Sequence, residues 1–328
     1  MSTSPIVPNP GPTSGTTTTT VCSSTTGGIT TTTTDTCTGA GTGNSTCTTT
    51  SSSGPANTSV AGFTRSLAPL PNQSEIISLS TSGITVLPWS YAASVAPPQI
   101  SSIVSAADGV SPAAPGGLIS IYGNQLSPTN LATSEIPVPT ALANSCVTVN
   151  GQPMPLVFVS PKQINAQMPV EAVGDVTVDV YTPGGESTNF NLVVEPNAPA
   201  VFLSGVAGPE TNLPTVIDAS NNLLVTDSNP VHRGDTLVIY LTGCGQTAPL
   251  VADGQPAPSS PLAITLIPPS VTLGSTPLSV DFAGLTPGQV GLCQINATVP
   301  NSAPTGLSIP LTISQGAGSQ SVSLRVID

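Results

Sequence analysis

General-base chemistry in this chain would rest on a single histidine, His232, and the one lysine, Lys162, is the other isolated candidate. A Ser-His-Asp triad needs a base that folding places beside a nucleophile. His232 stands in NPVHRGD, next to a turn that leads into a strand. No GxSxG-type elbow occurs anywhere in the chain to supply the nucleophile, so His232 reads as an exposed turn residue. A pair of carboxylates could hydrolyse a glycoside, but the acids, among them Asp175, Glu186, Asp227 and Asp253, are scattered singly through turns. The reading is therefore non-catalytic, with no cofactor. Calcium sites are built from clustered oxygen ligands. Asp218, Asn221, Asn222 and Asp227 are the weak candidates for such a cluster, across an expected hairpin in which Asn-Asn more simply makes the turn. Arg233-Gly234-Asp235 spells a tripeptide known for integrin recognition, at a position where the glycine is explained by the start of a core strand.

The elements that would position these residues are strands. Proline and glycine, 36 and 31 residues, interrupt every apolar run, which suits short strands and tight turns and forbids long helices. Valine, isoleucine and threonine favour pleated, half-buried surfaces. No stretch approaches the ~20 consecutive apolar residues of a bilayer helix. Charged residues make up 6 %, and 16 acids against one lysine and three arginines leave a net charge of −12. So few cations cannot neutralise phosphates, which argues against nucleic acid and against anionic membranes as partners.

An internal repeat organises the second half. Gly117 to Tyr122 (GLISIY) recurs as Asp235 to Tyr240 (DTLVIY), and VTVNGQPMPLVFVSPKQINAQMP from Val147 recurs as VTLGSTPLSVDFAGLTPGQVGLCQINATVP from Val271. Gln163-Ile164-Asn165 thus matches Gln294-Ile295-Asn296. The amides of both copies are expected to satisfy backbone groups at a strand end, or to share a ligand. Alternation is plain at Val176, Val178 and Val180 and at Val322, Leu324 and Val326, so each strand has one buried and one wet face. Strands of this length at about 100 residues per copy predict an all-β protein with two tandem immunoglobulin-like β-sandwiches. The expected domains are a low-complexity Thr/Ser/Gly-rich arm over 1–59, a short β segment over 60–98, and sandwiches over 99–198 and 199–328. A proline-containing joint, Pro196 to Ala200, stiffens the boundary between the sandwiches. The arm has almost nothing to bury and is expected to be a disordered or extended stalk. In 60–98, Phe63 to Leu70 reads as one strand and Glu75 to Leu87 as two, split at Ser82-Gly83, with Trp89 available to anchor their packing.

SGITVLPW, VAPPQI, GGLISIYGNQLS, VTVNGQPMPLVFVSPKQINAQMP, DSNPVHRGDTLVIYLTGCGQTAP and GLCQINATVP together resemble the uncharacterised Solibacter-type C-terminal domain family, over roughly 95–328. That resemblance implies a tandem immunoglobulin-like module at the C-terminus of an exported acidobacterial protein, and it brings no activity and no catalytic residues. The segment over 60–98 is similar to the closing strands of the β-propeller-like domains that often precede the module. Where many relatives carry an apolar residue after Thr242-Gly243 and an aromatic before Gln294, this chain has Cys244 and Cys293. The paired departure implies a disulfide, the alternative being two buried thiols. Six cysteines without a CxxC pair suit disulfides rather than metal. Cys22, Cys37 and Cys47 in the arm suggest locally closed loops, and Cys146 is expected to be either buried and free or tied to one of them. Met1 to Pro12 reads as no signal peptide, so an extracellular or cell-surface location implies a start that is internal or truncated. Three functions follow: a structural or interaction module, a glycan or surface-polymer binder, or a fibre subunit assembling by strand exchange. Exposed, coplanar Tyr122, Tyr181 or Tyr240 would favour the second, and burial of those rings would count heavily against it.

Overall fold

The computed structural model describes residues 96–204 and 211–328 with their side chains. Upstream it describes, by backbone alone, the strands Thr17–Thr26, Ile29–Thr38 and Thr46–Pro55, and a second set, Leu67–Pro69, Glu75–Ser80 and Gly83–Pro88. Each set pairs as an antiparallel three-stranded sheet. Trp89 and the side chains of Cys22, Cys37 and Cys47 lie outside the described residues.

The protein is all-β. In the first sandwich the main strands are β1 (Gln99–Ser105), β2 (Leu118–Asn124), β3 (Ser145–Val149), β4 (Leu156–Val159), β5 (Gln163–Gln167), β6 (Gly174–Thr182) and β7 (Phe190–Val194). One sheet runs β1-β2-β5-β4 and the other brings β3 and β7 against β6. First, second, fifth and fourth strands in one layer and third, sixth and seventh in the other is the immunoglobulin constant-type order. The second sandwich repeats it with β8 (Val216–Asp218), β9 (Thr236–Thr242), β10 (Ser270–Leu273), β11 (Ser279–Leu285), β12 (Cys293–Thr298), β13 (Gly306–Gln315) and β14 (Gly318–Ile327). Its sheets are β8-β9-β12-β11 and β10-β13-β14.

Alternation explains the two cores. Ile119, Ile121, Ile164 and Ala166 from one layer meet Val147, Val149, Val176, Val178 and Val180 from the other. Leu237, Ile239, Leu241 and Ile295 likewise meet Val271, Leu273, Leu311 and Ile313. Each fully buried aliphatic side chain contributes roughly 1.5–3 kcal/mol of transfer free energy. The sequence repeat survives as register: Tyr122 faces Gln163 and Ile121 faces Ile164, while Tyr240 faces Gln294 and Ile239 faces Ile295. Even a bulge recurs, between Leu156 and Phe158 in β4 and between Val280 and Phe282 in β11. It sets Phe158 opposite Asn165 and Phe282 opposite Asn296.

Candidate functional site

Two surfaces concentrate polar side chains: the joint between the sandwiches and the outer face of each four-stranded layer. The joint begins at Asn197, a buried residue whose Nδ2 donates to the carbonyl of Cys244 at 2.9 Å, while the Ala198 amide donates to the Gly243 carbonyl at 2.9 Å. Gly243 has φ +77°, and a Cβ there would fall 2.0 Å from the Ala198 carbonyl oxygen, so no larger residue fits. Gly117 also brings its backbone close, since a Cβ there would lie 3.3 Å from Gly243 Cα. This proximity lets the Leu118 amide donate to Thr242 Oγ1 at 2.8 Å, and Thr242 Oγ1 donate to the Gly291 carbonyl at 2.9 Å.

A carboxamide and a carboxylate continue the joint. Gln167 Oε1 accepts from the Gly254 amide at 2.7 Å while its Nε2 donates to the Gly116 carbonyl at 3.2 Å. Asp253 Oδ1 accepts from the Val170 amide at 2.8 Å, and Gln246 Nε2 donates to the Val170 carbonyl at 3.0 Å. Burial pushes the Asp253 carboxyl above the ordinary carboxylate range; the Val170 amide opposes that shift and the nearby Glu171 charge adds to it. At the opposite side of the joint Gln320 Nε2 donates to Asp108 Oδ2 at 2.9 Å, and Gln320 Oε1 accepts from the Val201 amide at 2.5 Å. Between Gly116, Gln167, Gln246 and Cys244 lies a cavity of about 20 Å³. That is room for one water and not for a substrate.

The outer face of the β1-β2-β5-β4 sheet carries Tyr122, Ser120, Gln163, Asn165 and Phe158. Gln163 Nε2 donates to Asn165 Oδ1 at 2.8 Å, and Ser120 Oγ donates to the same oxygen at 3.0 Å. In the second sandwich Gln294 Nε2 donates to Asn296 Oδ1 at 2.8 Å. The amides therefore pair along the strand face and do not cap backbone groups at a strand end, because residues two apart share one side of a pleated strand. Tyr122 is 37 % exposed and Tyr240 is half-buried, whereas Tyr181 is buried and donates from its Oη to Glu186 Oε1 at 3.0 Å. Lys162 reaches Asn124 Oδ1 beside Tyr122.

The remaining sequence candidates are each engaged locally. His232 lies in a short strand parallel to β14; its Nδ1 is 3.4 Å from Asp235 Oδ2, and its amide donates to the same oxygen at 2.6 Å. Arg233 Nε donates to the Ala303 carbonyl at 2.9 Å and its Nη1 pairs with the Asp328 carboxylate at 2.5 Å, which ties down the Arg-Gly-Asp run. Asp218 is buried, with Oδ1 accepting from the Ser220 amide at 2.8 Å. Asn221 Nδ2 donates to Asn229 Oδ1 at 2.9 Å, and Asn222 has φ +57°, the left-handed turn geometry that asparagine tolerates. The Asp227 carbonyl accepts from Arg325 Nη1 at 2.5 Å. Asp218, Asn221, Asn222 and Asp227 are thus committed to a turn and its neighbours, and no group of three His, Cys, Asp or Glu residues suited to a metal occurs among the described residues. Asp175 lies in β6 and not in a turn, while Asp253, in a turn as expected, also accepts from the Val170 amide in the joint. Cys244 and Cys293 form a disulfide with Cα atoms 6.4 Å apart. Cys146 is buried.

Sequence reasoning missed Gln167 and Asp253 as joint residues. The only available signal was that Gln167 follows the repeated Gln-Ile-Asn, at a position occupied by Thr298 in the other copy.

No protein-family description matches the sequence, and no curated protein matches it. Among solved structures, SGBP-B of a Bacteroides ovatus mixed-linkage glucan utilization locus, in complex with a mixed-linkage heptasaccharide, matches at 12 % identity over 96 % of this chain and 63 % of its own, with a TM-score of 0.29. The full extracellular region of plexin A4 matches at 13 % identity over 74 % of this chain and 17 % of its own, TM-score 0.24. The I9–I11 tandem of titin matches at 10 % identity over 96 % of this chain and 93 % of its own, TM-score 0.20. The chain spans less than two thirds of the length of the first structures it matches. At these TM-scores the likenesses carry no functional argument.

Proposed function

We propose that this chain is a non-catalytic module of an exported or cell-surface protein, in which two immunoglobulin-like sandwiches are locked at a set angle to space or present a neighbouring part. The reading accords with the resemblance of its motifs to the Solibacter-type C-terminal family. The observation that carries the reading is the joint. Domains within a chain that move freely meet through small, loosely paired surfaces. Here Asn197, Thr242, Gln167, Asp253, Gln246 and Gln320 each hydrogen-bond across or along the boundary, and two glycines bring the backbones into contact. The disulfide at Cys244, the residue whose carbonyl Asn197 holds, braces the same place. Spin labels on non-natural residues at the exposed positions Val110 and Leu307 should give one narrow distance distribution by pulsed electron resonance. A broad distribution in the unmodified chain would remove the rigid-module reading.

A second reading, glycan binding, is favoured by one observation. An exposed tyrosine beside a neutral Gln-Asn pair and a phenylalanine offers a stacking face with uncharged donors and acceptors, which is the chemistry of sugar recognition. The same residue types recur in the second sandwich, where Tyr240 is half-buried. Titration calorimetry against neutral β-glucans, repeated with Tyr122→Ala, tests it. Binding that the substitution abolishes supports it, and no heat with any glucan removes it.

A further inference from the structure

The two sandwiches differ on one outer face. In the second, the outer side of the β10-β13-β14 sheet follows alternation: Ser270 faces Ser314 and Thr272 faces Thr312. These hydroxyls are served from within the sheet, Thr312 Oγ1 donating to Ser321 Oγ at 3.1 Å and Ser314 sharing a 3.0 Å bond with Ser319, both exposed. The matching face of the first sandwich presents Cys146 opposite Tyr181 and Thr148 opposite Asp179. It points away from the core, which takes Val147, Val149, Val178 and Val180. Yet Ala141, Cys146, Thr148 and Tyr181 are 0, 1, 2 and 4 % exposed. Ala141, Cys146 and Tyr181 form an apolar cluster of their own. All five residues of β3 are buried, whereas β10 alternates.

The outer side of a two-layer sandwich meets only water unless a third layer covers it. Thr148 Oγ1 and Asp179 Oδ1 are buried there without a hydrogen-bond partner, which marks a surface closed over by something other than solvent. Burial, and then the Glu186 charge, also pushes the Asp179 carboxyl upward.

We propose that this face is the dock of the chain's own threonine-rich arm, whose strands Thr17–Thr26, Ile29–Thr38 and Thr46–Pro55 form a third layer on it. Two observations select that occupant. The backbones of the arm strands run beside Ala141–Leu142 and Gln152–Pro153, which flank β3. The chain also enters the first sandwich at this edge: Pro97 Cβ would be 3.9 Å from a Cβ on Gly185, and Gly185–Glu186 pairs with Tyr181–Thr182. The arm suits the face chemically. Between Met1 and Ser59 its one charged residue is Asp35, and its many serines and threonines are hydroxyl donors suited to an acidic surface.

The test is photo-crosslinking of the full-length chain carrying p-benzoylphenylalanine at position 181, with the same residue at exposed position 122 as control. Peptide mapping should find intrachain links from 181 to residues 17–55 and none from 122. Links from 181 to a second copy, or none to the arm, overturn the proposal. Hydroxyl-radical footprinting of the unmodified chain guards against disruption by the bulky probe. Tyr181 should oxidise at least tenfold more slowly than Tyr122, and Thr32→Asp with Thr34→Asp, which add two acids to an arm docked on a face that already carries Asp179 and Glu186, should close that gap. Equal rates in the wild type, or a gap unchanged in the variant, again overturn it.

Discussion

The sandwiches share strand order, bulge and Gln-Ile-Asn register, yet each guards the same sheet differently. The second leaves the outside of β10-β13-β14 to water and satisfies it with short hydroxyl pairs. It keeps its disulfide on the other sheet, with Cys293 opening β12 and Cys244 just beyond β9. The first buries the outside of β3 and β6 around Cys146 and Tyr181. One topology can thus serve as an exposed end or as the middle layer of a larger stack, and a few outward residues decide which.

Substitutions can break this contrast. Tyr181→Ala should cost about 3–5 kcal/mol, as loss of a buried aromatic does, whereas Thr312→Ala, on the bare face, should stay within about 1 kcal/mol. Urea unfolding of the two variants measures the difference, and similar small costs would mean the face is not covered. Cys244→Ala with Cys293→Ala should remove about 2–4 kcal/mol by freeing the loop in the unfolded chain. Hydrogen exchange should place that loss in the second sandwich and leave β3 and β6 protected. Gln167→Ala strips partners from the Gly254 amide and the Gly116 carbonyl; a cost of about 1–3 kcal/mol is expected, together with a broader distance distribution between the sandwiches.

The smallest effect is one of pH. Asp253 has its carboxyl raised above the ordinary value of 3.8, so the folded chain holds the proton more tightly than the unfolded chain does. The stabilisation from this group is therefore complete below about the ordinary value and is lost as pH rises through the raised one. Asp253→Asn keeps an acceptor for the Val170 amide without the charge. Its stability should match or exceed that of the wild type at neutral pH and should lack the loss that the wild type shows as pH rises from below the ordinary value of 3.8, as read from urea midpoints.

Much of the fold was legible because alternation is a local property. Val176, Val178 and Val180 announce a strand with one buried face from neighbours in the chain alone, and Gln163-Ile164-Asn165 against Gln294-Ile295-Asn296 announces a repeat. The strands Glu75–Ser80 and Gly83–Pro88 flank the turn that Ser82-Gly83 suggests. The joint was not legible. Gln167, Asp253 and Gln320 are ordinary polar residues until folding brings partners 87, 83 and 212 positions away within hydrogen-bond distance. The partners of the amide pairs were misread for a related reason. Spacing puts Gln163 and Asn165 on one face, but whether they serve each other or a backbone group depends on what the adjacent strands leave open.

The sequence by itself determined the class: short punctuated strands, two copies, and too few cations to serve a phosphate-rich partner, since composition and period act along the chain. Tertiary structure alone decided that Asp253 takes the Val170 amide across the joint, that Gly117 and Gly243 bring two backbones together, and that the outside of β3 is covered while the outside of β10 is bare. Burial and pairing are set by which surfaces meet in space, and residues identical in local pattern are sorted only when the two sandwiches and their joint come together.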